Sequence, residues 1–401
     1  MVRTAVSQTL NAAVALRSRW YPGSRRDQRP GAPQHHITQS ALEDMIRHHS
    51  RRRQPSLSRV LLAVSVLLAI PLLLVGTLTG HAGSGFQASG RLPDLGSARI
   101  WDVEVNQATP STILAATDNG VYVSRDSGAT WRLTLSGHRV WAVGFDVRNP
   151  QNALAGTDGD GIFSSGDAGS TWTAAASAGL PSQDIRSLAF GLDGVAAGTD
   201  SGVALSPDGK TWHPGGLGGV SVAALTVAAN SPQLTLIAGT DQSTTNGDFL
   251  YRGTADGRWI PLANGLPAGA AVSSLSAGPI DQAVPKRPLV VATTKGLFRS
   301  GDTGTTWTSS TGIPSTETAT VVRFSPLDPN LAYAGVDAGG STGGDLLRST
   351  DSGQTFAPAD AGLPTPKRNV ESLGIGPTDP LTVVAGLDPP GAAASVYTET
   401  D

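Results

Sequence analysis

One short pattern, Ser-x-Asp-x-Gly-x-Thr-Trp, returns along this chain and fixes most of what it can fold into. It stands in full at Ser124–Trp131, Ser165–Trp172 and Ser300–Trp307, and with Phe in the last place at Ser349–Phe356. Two shortened copies run Ser206–Trp212 and Thr254–Trp259. The shared aspartates are Asp126, Asp167, Asp208, Asp256, Asp302 and Asp351, 41 to 49 residues apart. A unit of that length repeated along a chain cannot bury its apolar face alone and must stack on its neighbours.

The residues of the pattern make a hairpin turn. A carboxylate there accepts hydrogen bonds from the backbone N–H groups that follow it. Glycine supplies the positive φ, the hydroxyls bond the carboxylate, and the aromatic residue returns to pack between sheets. The recurring aspartates therefore read as structural.

Around each turn the unit resolves into four short strands. In the second unit, strand A is Val140–Phe145, B is Asn152–Gly156, C is Gly161–Ser165, and D begins at Thr171. Four antiparallel strands at this spacing are the signature of a propeller blade. A strands opening near Ile100, Val140, Ile185, Val222, Val272, Ala319 and Val370 give seven blades. Composition agrees, with 49 Gly, 27 Pro and only 5% aromatic residues. The seventh unit runs out at its turn, where Val396–Asp401 aligns with Val121–Asp126. Its D strand is expected from the other end, since Phe86–Pro93 matches Trp307–Pro314 with Phe86 in the Trp position. Residues 86–89 would thus close the ring and leave no open edge at the seam. The expected fold class is all-β, a seven-bladed propeller over residues 84–401, preceded by one transmembrane α-helix.

That helix is read from residues 57–79, where Val60–Leu78 is an unbroken apolar or small stretch. Nineteen helical residues reach roughly 28 Å, enough for a bilayer core. Residues 1–59 hold eleven arginines against Asp27, Glu43 and Asp44, whereas the remainder carries an excess of eleven acids. Positive charge stays inside, so residues 1–56 are expected to be a largely disordered cytoplasmic tail. The propeller then stands outside, on a single-pass anchor in the cell membrane. A cleaved leader is the rival reading, with Gly80-His81-Ala82 as its small-residue site.

The turns and blade order resemble the Asp-box (BNR-type) propellers over essentially all of residues 86–401. That superfamily includes sialidases, sortilin-type receptors, xyloglucan-cleaving glycosidases and photosystem II stability and assembly factors. A single, Cys-free, seven-bladed copy is most similar to the last group, which implies a membrane-anchored docking or assembly scaffold without enzymatic activity. A carbohydrate-active or carbohydrate-binding propeller is the alternative. The chain lacks the Arg-Ile-Pro element of sialidases, and no phosphate loop, zinc-ligand spacing or nucleophile elbow stands among its glycine-rich turns. No cofactor, metal or catalytic residue is expected, and the acidic C-terminal region argues against nucleic acid.

Blade geometry puts the A–B loops and the Asp-box turns on one face, and the B–C and D–A loops on the other. Six residues after the apolar run span at most about 20 Å, so the box face should look toward the bilayer. On the opposite, outer face the residues opening strand A crowd the channel. The candidates there are Arg99, Trp101, Arg139, Trp141, Arg186, Lys367, Arg368 and Glu371, against Ala223, Ser273 and Thr320 at corresponding positions. They predict a basic, aromatic crescent for a protein partner or an anionic ligand.

Overall fold

The computed structural model describes residues 85–400 apart from 97, 230–233, 242–248, 255, 263, 280–286, 314–317, 338–344, 365–367, 378–381 and 389–394. The expected helix at 57–79 and the Arg-rich tail lie outside the described residues. Among the described residues no helix is long and apolar enough to cross a membrane.

Seven four-stranded antiparallel sheets follow one another along the chain. Blade 1 shows the plan, with strand A at Ile100–Val105, B at Ile113–Thr117, C at Gly120–Ser124 and D at Arg132–Ser136. Strands A of successive blades touch in sequence, and blade 7 touches blade 1, so the sheets form a closed ring with the A strands innermost. The cores lie between blades. Leu114 and Val121 of blade 1, for example, share one cluster with Val143 and Phe145 of blade 2.

The seam closes as the alignment of Phe86 predicts. Gln87 pairs with Thr398 and Ala88 with Tyr397, making residues 87–88 the outermost strand of blade 7. Phe86 is buried in the last blade's core beside Tyr333, Leu346 and Val370. A second contact identifies it independently. D–A loops carry a glycine before Leu-Pro or Ile-Pro, and this glycine lies flat on the box aromatic of the next blade. A Cβ on Gly179, Gly265 or Gly312 would fall within about 2 Å of the carbonyl oxygen of Trp212, Trp307 or Phe356. Gly362 stands the same way against Phe86, at 2.1 Å.

The Asp-box turns are built as their residue types require. In the first, Asp126 Oδ1 accepts from the Thr130 N–H at 2.8 Å and from Ser124 Oγ at 2.8 Å, and Oδ2 accepts from the Thr130 hydroxyl at 2.6 Å. Two consecutive residues take left-handed backbone, and the first is not glycine: Ser127, Ala168, Thr303 and Ser352 have φ between 54° and 63°. The shortened boxes drop that residue and keep the glycine, Gly209 at 72° and Gly257 at 78°.

Strand D is shorter than expected. In blade 2 it covers only Thr173–Ala174, because Thr171 is held in the turn by Asp167 through both its N–H and its hydroxyl.

Candidate functional site

In six of the seven blades the A–B pairing slips by one residue near the start of strand A. The register jumps between Ile100 and Asp102, Val140 and Ala142, Ile185 and Ser187, Val272 and Ser274, Ala319 and Val321, and Val370 and Ser372. Such a bulge leaves one unpaired residue and re-aims its side chain. The bulged residues are Trp101, Trp141, Arg186, Ser273, Thr320 and Glu371, and all six line a cavity of about 110 Å³ in the channel. Bulge chemistry thus delivers one chosen side chain per blade to the same ring.

On one side of that ring the choices are large. Trp101 and Trp141 pack with centroids 4.3 Å apart at 58°. Arginines flank the pair, Arg99 at 5.4 Å over Trp101, with Arg139 at 5.5 Å and Arg186 at 4.8 Å over Trp141. Trp101 Nε1 donates to Asp118 at 2.9 Å, whereas the buried Trp141 Nε1 meets no acceptor among the described residues.

Two of the crescent's arginines are already paired with aspartates. Arg139 pairs with Asp118 at 2.9 Å and Asp158 at 3.2 Å. Arg186 forks onto Asp200 at 2.7 and 3.2 Å, and this bond holds the Asp200 carboxyl below the usual carboxylate range. These aspartates close the B strands. Thr117, Thr157 and Thr199 cap the B–C turns through their hydroxyls, and the next residue in each case is the acid. Sequence reading missed their role, although the recurrent Thr-Asp at 117–118, 157–158 and 199–200 was the available signal. Backbone bonds from Asp118 to Arg99 and from Asp158 to Arg139 draw the B–C turns and D–A loops onto one face. Arg368 Nη2 donates to the Leu387 carbonyl at 3.4 Å, and Lys367 lies outside the described residues.

The Asp-box turns sit on the other face with the A–B loops. Ser127 N–H donates to the Ser111 carbonyl, Ala168 N–H to the Gln151 carbonyl and Ser352 N–H to the Asn330 carbonyl, each tying a box to the A–B loop or the start of strand B in its own blade. Between the two mouths a charge pair crosses the channel. Arg323 of blade 6 reaches past blade 7, donating to the Leu373 carbonyl at 3.2 Å and to Asp102 of blade 1 at 2.9 Å. Asp102 also accepts from Val143 N–H of blade 2 at 3.2 Å. Four blades are joined through these two side chains. Among the described residues no group of three or more His, Asp or Glu side chains could hold a metal ion.

The chain folds as a seven-bladed β-propeller. No family model matches it, and no curated protein matches it in sequence. Its fold is similar to YCF48 from Cyanidioschyzon merolae, with TM-score 0.54, 17% identity, and 79% of this chain and 98% of that one covered. It is similar to a YCF48 bound to D1 peptide, with TM-score 0.56, 18% identity and coverage of 80% and 98%. A GH74 enzyme from Niastella koreensis gives TM-score 0.58 and 16% identity, with 78% of this chain but only 55% of the enzyme covered. At these identities the likeness is one of fold.

Proposed function

We propose that this propeller is a docking module that receives a protein segment at the channel mouth opposite the Asp-boxes, without catalysing a reaction. The observation that carries the reading is the bulge ring, which gathers Trp101, Trp141 and Arg186 from three blades onto one wall. Stacked indoles and flanking guanidiniums suit an extended peptide bearing both apolar and carboxylate groups, since Arg at such a site binds carboxylates through its fork. The arginines already have aspartate partners, so a peptide carboxylate competes with Asp158 or Asp200 and selects by geometry more than by charge. The fold shared with a propeller that holds a D1 peptide supports the same reading.

In this proposal the module is carried outside the cytoplasm by an uncleaved helix at 57–79. A periplasmic or extracellular reporter fused after Asp401 should be active, and mature protein beginning near Gly83 would refute the anchor. For the docking surface, the double variant Arg139→Ala, Arg186→Ala should remain folded and lose, in a salt-sensitive pull-down, the membrane-protein partners that wild type captures. Full retention of those partners removes the site.

The indole pair also suits a sugar ring, and the fold resembles a GH74 enzyme. Release of reducing sugar from a β-glucan, abolished by Trp141→Ala, would favour that second reading.

A further inference from the structure

The channel widens below the Asp102–Arg323 pair into a second chamber of about 440 Å³, open on the Asp-box face. Its size is that of a small-molecule site. Phe145, Phe190, Phe324, Val227, Leu275 and Ile375 give it apolar walls. Val147, 48% exposed, stands at its rim with Pro279 and Pro326.

Three polar groups on its wall lack a full set of partners among the described residues. Arg287 points its Nε to the Gly278 carbonyl and its Nη1 to the Val227 carbonyl, each at 2.5 Å. This fixes the guanidinium plane and leaves Nη2 without a partner among the described residues. No carboxylate there pairs with Arg287, and burial alone pulls it down to about 10. Gln107 spends its amide N–H groups on the Val105 and Ile375 carbonyls, leaving its buried Oε1 unpaired. Glu104, also on the wall, accepts no hydrogen bond among the described residues and is pushed up to about 7 by burial, with Arg323 opposing and Asp102 adding. Among the described residues the ionisable groups on the wall are Asp102, Glu104, Arg287 and Arg323. Asp102 and Arg323 are joined to each other, which leaves Arg287 as the wall cation with no carboxylate partner among the described residues.

We infer that this chamber binds a carboxylate carried on an apolar body, with the anion on Arg287 and the body against the phenylalanine walls. A half-buried cation with no anion beside it is poorly solvated, and an entering carboxylate supplies a counter-charge and a charge-assisted hydrogen bond. The blade 1 wall, with Glu104 and Gln107, offers a far-end hydrogen bond to a donor on the ligand. The site is separate from the indole ring at the other mouth and stands whether or not that ring binds peptide.

The test is calorimetric titration of the full chain in lipid nanodiscs at pH 6, against empty nanodiscs, with 3-phenylpropionate and its neutral amide. The acid should bind at least tenfold more tightly than the amide. Arg287→Met should reduce the acid to the amide's affinity, whereas Arg132→Ala, exposed on the outermost strand of blade 1, should change nothing. Raising the pH to 8 should weaken the acid severalfold as Glu104 ionises, and Glu104→Gln should remove that dependence. A peptide ending in phenylalanine, run beside the free acid, distinguishes the two sources of such a carboxylate. Weaker peptide binding assigns the chamber to a free acid, stronger binding to a chain terminus. Equal affinity of acid and amide for wild type, or no binding of either, overturns the inference without recourse to any variant. Acid binding that survives Arg287→Met in a folded protein, or is lost in Arg132→Ala, overturns it as well.

Discussion

Replacing Phe86 by alanine should unlatch the ring. Phe86 is 3% exposed, packs on Tyr333, Leu346 and Leu363, and carries the backbone against which Gly362 lies. Truncating a buried phenylalanine costs about 3–5 kcal/mol, toward the upper end where the surround cannot collapse. Collapse is limited here, because the Phe86 N–H is held to the Ala361 carbonyl at 2.7 Å and Gly90 N–H to the Gly128 carbonyl at 2.7 Å. Over Gly80–Asp401, an unfolding entropy of about 2.1 cal/mol/K per residue turns that loss into a fall of about 4–8 °C in Tm. The measurement is differential scanning calorimetry, with Gln87→Ala as control, since Gln87 is exposed and its ladder bonds are backbone. The control should stay within about 0.5 kcal/mol of wild type. A Phe86→Ala melt within about 1 °C of wild type would mean the seventh blade does not need its borrowed strand, and the closure argument fails.

Two further outcomes concern pH. Against desolvation, which acts upward, the Thr171 hydroxyl and N–H hold Asp167 at about 2, and the backbone N–H groups of Thr211 and Lys210 hold Asp208 there. A carboxyl lowered by folding stabilises above its unfolded value near 3.9 and loses that contribution as pH falls through its folded value. Acid unfolding should therefore steepen between about pH 4 and 2, and Asp167→Asn should flatten that limb in an acid titration followed by circular dichroism. Glu104 runs the other way: its carboxyl is raised to about 7, so stability should fall as pH rises from about 4 through 7. Glu104→Gln should remove that fall and melt above wild type at pH 8, and an unchanged pH profile would contradict it.

The ring was legible because its parts announce themselves locally. Six aspartates at a steady period mark six of the blades, and Phe86 in a Trp position names the strand missing from the seventh. The site was legible only as a set of strand openings. That Trp101 and Trp141 would stack, or that Arg139 would meet Asp118 from the blade before it, depends on ring curvature and on a bulge that no residue pattern marks. Arg323 and Asp102 are 221 positions apart and meet across the channel, a distance in sequence that local periodicity does not bridge. Strand D was overestimated because the box threonine, which looks like a β residue, belongs to the turn.

The latch also imposes a schedule. Ser89 bonds the Val396 carbonyl through both its N–H and its hydroxyl, across 307 positions of chain. At ordinary elongation rates of about 5–20 residues per second, residues 86–89 emerge about 15–60 s before their partner exists. Six blades can assemble in that interval, while Phe86 waits with nothing to bury it. The first segment of the propeller to leave the ribosome is thus the last to be placed, and any factor that shields it during synthesis would act in that window.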